Sequence, residues 1–143
     1  MKRLLFATAL ASLVLGGLAT EAMAKGAKLR VERNAEYGEI LVNGSGKALY
    51  LFTKETGPRA DCYGECATAW PPYLTRGKPV AGKGLSKKRI GTTLRDDGTR
   101  QVTYRGHPLY FYVHDTPSLI LCQDVFEFGG LWLLVDERGA AVR

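Results

Sequence analysis

The sequence predicts a mainly β chain, with tandem β-hairpin repeats forming a compact small domain and one short helical, Cys-containing insertion. Three observations predict it. A stretch near the start recurs further along the chain without gaps, each copy joins two β-rich runs through a turn carrying Asn, Asp or Gly, and helix-favouring residues gather only around Cys62–Ala69.

The first element is a leader. Lys2 and Arg3 precede an apolar run from Leu4 to Leu18, and Ala22-Met23-Ala24 supplies the small residues of a cleavage site. Residues 1–24 therefore read as a secretory signal peptide, cut near Ala24. The run is shorter than the about 20 apolar residues that span a bilayer, so no transmembrane span is expected after processing. Residues 25–143 remain as a single domain, large enough to bury its own core. The chain's formal charge of +6 becomes +5 once the leader is gone, with 18 basic and 13 acidic residues left. Outside the cytoplasm such a surface meets anionic polymers and lipid headgroups, and no recognition motif accompanies the charge to point to specific nucleic-acid binding.

The repeat copies cover about 38–57, 98–117 and, in part, 132–142. Ile40–Thr56 aligns on Arg100–Thr116 at an offset of 60, with Leu49-Tyr50 on Leu109-Tyr110, Phe52 on Tyr112 and Glu55 on Asp115. Leu41–Leu49 aligns on Leu134–Val142 at an offset of 93. The turns are Asn43–Gly46, Tyr104–His107 and Asp136–Gly139, and the shared Gly supplies the positive φ that a tight hairpin needs. Both faces of the strand through Tyr110 and Tyr112 are largely apolar, so it is expected to be covered on both sides, and Trp132–Val135 reads as another buried strand. Asp61 is placed to cap a short helix through Ala69, which Trp70-Pro71-Pro72 stops. Leu74–Ile90, rich in Gly, Lys and Pro, reads as a loop with a solvated basic face.

Tyr110–Asp115 fits the pattern Tyr, any residue, an aromatic, two residues and Asp. With Cys62–Pro72 and Arg95–Tyr104, it makes the chain from about Gly38 to Gly139 resemble the bacterial secreted-repeat family of predicted lipoproteins and exported proteins. The resemblance implies tandem repeats and an envelope location, and implies no reaction. Two places depart from it: Glu55 replaces the Asp of the first motif, and the segment after the second motif, Ser118–Gln123, is apolar and adds a Cys where relatives carry a Gly-rich stretch.

The residues able to carry chemistry fall into two sets. Cys62 and Cys66 form a disulfide if the compartment is oxidising, in which case no cofactor is expected and Gly64 lets the intervening backbone leave α geometry. The alternative is a thiol-based metal-binding or redox protein, with copper or zinc held by Cys62, Cys66, Cys122 and one of His107 or His114. Tyr50, Phe52, Glu55, Tyr110, Tyr112, Asp115 and Trp70 form the second set. They line a ligand-binding cleft between repeats, or they are core, since aromatics at period two are commonly cross-strand pairs. No Ser occupies a nucleophile-elbow motif, and a hydrolase built on Glu55 and Asp115 is the weakest of the candidates. The expected role is thus an exported, non-enzymatic module that binds an envelope component or a small ligand.

Overall fold

A computed structural model describes residues 25–143. The leader assigned to residues 1–24 lies outside the described residues. Among the described residues, nine strands form three small sheets with one short α-helix: β1 (Gly26–Asn34), β2 (Gly38–Asn43), β3 (Tyr50–Phe52), α1 (Glu65–Ala69), β4 (Gly77–Ala81), β5 (Ile90–Leu94), β6 (Arg100–Tyr104), β7 (His107–Pro108), β8 (Val125–Glu127) and β9 (Gly130–Leu134). The sheets have the orders β2-β1-β4, β3-β9-β8 and β5-β6-β7. Single bridges knit them together, at Ile40 with Asp136, Tyr50 with Tyr110 and Leu74 with Gln101.

All three repeat copies form hairpins at the expected turns, but not with the same loop. In copies one and three, Asn43 N donates to Lys47 O at 2.9 Å and Asp136 N to Ala140 O at 2.9 Å, so three residues lie between the paired positions. The last of them, Gly46 and Gly139, has φ of 94° and 83°, the bulged geometry of a three-residue hairpin. In both, the turn's first side chain accepts the backbone N–H groups two and four residues on: Asn43 those of Ser45 and Lys47, Asp136 those of Arg138 and Ala140. Copy two pairs Tyr104 with His107 across a two-residue loop in which Arg105 and Gly106 have φ of 48° and 80°. That is the primed turn, which requires positive φ at both positions. The gapless alignment at offset 60 consequently holds only after the turn. Before it, the Leu41 carbonyl accepts the Leu49 N–H at 3.0 Å as the Val102 carbonyl accepts the Leu109 N–H at 3.0 Å, so Val102 is the spatial counterpart of Leu41, not of Val42.

The covered-on-both-sides expectation holds at Leu109 and Tyr110 but not beyond: no strand continues past the bridge at Tyr110, Phe111 and Tyr112 are half-buried, and Val113 and His114 are exposed. Tyr50, Phe52, Tyr110, Trp132 and Leu134 look into one core, whereas Leu49, Leu51, Leu109, Leu133 and Val135 look into another on the opposite face. Period-two alternation sorts each strand between them. Two other expectations are corrected. Leu74–Ile90 is not loop throughout: it contains β4, which pairs in parallel with β1, and a 3-10 turn at Lys87–Arg89. Pro79 sits in β4 at no cost to the ladder because β4 is an edge. Strand β1 had no repeat signature to mark it. Helix α1 is capped by Gly64 with φ 58°, not by Asp61, whose carboxylate instead pairs with Lys54 at 2.7 Å.

Candidate functional site

The aromatic and acidic residues of the repeat motif converge at the contact between copies one and two. Tyr50 and Tyr110 face each other across an antiparallel bridge, each N–H donating to the other's carbonyl at 2.9 Å. The side chains then cross. The Tyr50 hydroxyl donates to Asp115 Oδ2 at 2.5 Å, and the Tyr110 hydroxyl donates to Glu55 Oε1 at 2.5 Å. Each carboxylate also accepts the backbone N–H six residues on, Asp61 for Glu55 at 2.7 Å and Leu121 for Asp115 at 2.9 Å. The two halves are thus related by a local twofold, and each repeat's Tyr is held by the other repeat's carboxylate. Replacing Asp by Glu in copy one preserves the clasp.

Burial sets the electrostatics. Glu55 and Asp115 are 5% and 4% exposed, and desolvation raises the pKa of both carboxyls, against the pull of the Tyr hydroxyls and backbone N–H groups. The tyrosines are driven up as well, by burial foremost, so both hydroxyls stay donors. The halves differ in what lies behind the clasp. Behind Glu55 stands Arg95, 3% exposed, donating to Gln101 Oε1 at 2.7 Å and to the Cys62 carbonyl at 2.6 Å, with the Tyr63 ring 4.2 Å from its guanidinium. Gln101 in turn donates to the Leu109 carbonyl. Among the described residues, Arg95 Nε and Glu55 Oε2 have no hydrogen-bond partner. Behind Asp115 the nearby charge is Lys47. Sequence reasoning missed Arg95 and Gln101, because Arg95 adjoins the polar turn Asp96–Thr99 and nothing in the string marks it as buried.

The rest of the aromatic set packs against the clasp. Phe52, Trp132 and Trp70 stack in series, centroids 4.1 and 4.2 Å apart and planes within 5°. Tyr50 meets Trp70 edge-on, and the Trp70 indole N–H donates to Glu127 at 2.9 Å. Of the seven residues assigned to a ligand cleft, Tyr50, Phe52, Glu55, Trp70, Tyr110 and Asp115 are buried, and Tyr112 is half-buried, beside His114 and Cys122.

Cys62 and Cys66 are joined by a disulfide, with Cα atoms 5.3 Å apart, and the positive φ of Gly64 takes the backbone out of α geometry between them. Cys122 is free and half-buried. His107 pairs with Tyr104 in the third sheet, and burial lowers its pKa, whereas His114 is exposed next to Tyr112. Among the described residues, no three His, Cys, Asp or Glu side chains are arranged to hold a metal ion.

The pattern of the secreted repeat of unknown function matches residues 32–73 and 91–135, two copies that each contain one half of the clasp. The chain belongs to that family. No curated protein and no solved structure matches it. The two matched segments leave residues 74–90 between them, the stretch that forms β4 and the basic 3-10 turn. Among the described residues no helix is long and apolar enough to cross a membrane.

Proposed function

We propose that this secreted repeat acts outside the cytoplasm as a non-enzymatic module that binds a component of the cell envelope or a small ligand. The observation that carries the reading is the way the clasp occupies its own chemistry. A general acid or nucleophile must reach a substrate atom, and Glu55 and Asp115 are each engaged by a tyrosine and a backbone N–H inside the core. The motif then serves to weld the repeats, and recognition is left to the surface and to the half-buried Tyr112. The family's description as secreted supports the compartment.

The test combines location with binding. Intact mass of protein recovered from the periplasm or medium should begin at Lys25 and count one free thiol, and the same protein should sediment with isolated envelope material. Full-length protein confined to the cytoplasm overturns the proposal. So does turnover of a glycan substrate that disappears in folded Glu55→Gln and Asp115→Asn variants.

A further inference from the structure

We infer that the basic clefts flanking β4 are the binding site, and that they take a linear polyanion, a chain of closely spaced carboxylates or phosphates such as an acidic envelope glycan. This rests on the binding-module reading above and names its partner class. One cleft runs between β4 and β5 and is edged by Arg76, Lys78, Lys87 and Arg100. A second adjoins it, shares Arg76 and Arg100, and adds Lys25. Among the described residues, no carboxylate lines either one. All five cations are exposed, and none lies within 4.0 Å of a described carboxylate, whereas Arg30, Lys54, Arg59, Arg95 and Arg138 are each paired.

Residues 25–143 hold 18 cations and 13 carboxylates, so setting the five cleft cations aside leaves 13 of each sign on the rest of the chain. The two adjoining concavities hold five of the 18 cations, and among the described residues no carboxylate lines them. A concave lining of one sign focuses the field and draws in counter-ions of opposite charge. The scaffold is firm on both sides: Arg100 Nη1 is steadied by the Thr92 hydroxyl at 3.1 Å, and β4 is locked against β1 by the close approach of Gly26, where a Cβ would lie 1.8 Å from the Lys78 carbonyl. Val80 and Ile90 between the cations provide apolar surface for the non-ionic face of a polymer unit. A concavity edged by cations admits a chain laid into it better than it meets a flat lipid surface. The compartment argues against nucleic acid.

Three of the cations, Arg76, Lys78 and Lys87, come from residues 74–90, the segment between the two family matches. The clasp builds the frame common to both repeats, and the connecting segment furnishes the charge.

The experiment measures fluorescence anisotropy of two labelled probes, a linear polygalacturonate and a linear polyphosphate, titrated with the exported protein. Neutral dextran, phosphatidylglycerol vesicles and single-stranded DNA are run alongside. At least one polyanion should bind, with affinity falling about tenfold or more as ionic strength rises from about 0.01 M to about 1 M and the Debye length shrinks from about 30 Å to about 3 Å. The probe that binds tells carboxylate from phosphate recognition. The variant Arg76→Gln/Lys78→Gln/Lys87→Gln/Arg100→Gln, all at exposed positions, should keep its near-UV circular dichroism and lose roughly tenfold or more in affinity. The charge-matched Arg33→Gln/Lys54→Gln/Arg59→Gln/Arg143→Gln variant should lose less than about threefold. Equal losses in the two variants, or preference for vesicles or DNA over both polymers, overturn the inference. Protein that ignores both polymers yet still sediments with envelope material overturns this site and leaves the binding-module reading standing. Protein that binds none of these overturns both.

Discussion

Removing one hydroxyl from the clasp tests whether the repeat motif is structural. In Tyr110→Phe the ring keeps its edge-on contact with Trp132, 5.2 Å between centroids, and only the donor to Glu55 is lost. Glu55 Oε2 already lacks a partner, so the carboxylate would retain a single hydrogen bond, from Asp61 N–H, in a site 5% exposed. A hydrogen bond to a charged group contributes about 1.5–3 kcal/mol, and an abandoned buried acceptor incurs its desolvation penalty. The expected loss is therefore about 2 kcal/mol, which for a chain of this size lowers Tm by roughly 8 °C. Tyr50→Phe should lose a similar or smaller amount, because Asp115 keeps both Leu121 N–H and the nearby Lys47. Urea unfolding of Tyr50→Phe, Asp115→Asn and the double variant closes a cycle whose coupling should exceed about 0.5 kcal/mol. If Tyr110→Phe unfolds within about 0.5 kcal/mol of the parent, or the cycle shows no coupling, the clasp does not hold the repeats together.

Further expectations rest on neighbouring groups. A carboxyl whose folded pKa is raised binds its proton more tightly when folded, so Glu55 and Asp115 should make stability rise as pH falls from neutrality through their folded pKa values. Asp136 is buried, yet the N–H groups of Ala140 and Arg138 and the Arg138 side chain hold it low; stability should then fall again below the ordinary Asp range, and Asp136→Asn should flatten that acid limb in pH-dependent urea melts. Arg95→Met removes the cation that pulls Glu55 down, so the Glu55 carboxyl resonance in NMR should titrate at higher pH than in the parent. Cys62→Ser/Cys66→Ser should reduce stability by about 2 kcal/mol, the entropy of a short closed loop, while leaving the thiol count at one.

How much of this was legible in the string depends on the range of the interaction. The hairpins were, because Gly46, Gly106 and Gly139 each sit at a turn position with positive φ and are flanked by β-rich runs. The alternation of aromatics with leucines told that two faces were covered. What the string hid was a single residue of register: Val42 and Val102 look alike, but the two-residue loop of copy two moves Val102 into the place of Leu41. Sequence identity across a turn is silent on loop type unless φ is known, and Arg105 in a left-handed conformation gives no compositional warning. The basic segment misled for a different reason. Its Lys, Gly and Pro are what a loop carries and also what an exposed edge strand tolerates, so composition cannot separate them.

The crossing of the tyrosines was the most informative thing the string could not express. Read along one copy, Tyr50 and Glu55 look like partners, as do Tyr110 and Asp115. In space each bond runs to the other copy, over 65 and 55 residues of chain. A motif whose polar partners are exchanged between repeats is not satisfied by one copy alone, because a lone repeat would bury a hydroxyl and a carboxylate without their mates. The two matched repeats therefore should not fold separately: a fragment ending before residue 74 should show neither native near-UV circular dichroism nor cooperative unfolding. Adding the 91–135 half in trans should restore both, and the Tyr50→Phe/Tyr110→Phe pair should weaken that restoration. A first-repeat fragment that folds cooperatively by itself would show that the local packing of β1 to β3 suffices and that the exchanged bonds are incidental to the fold.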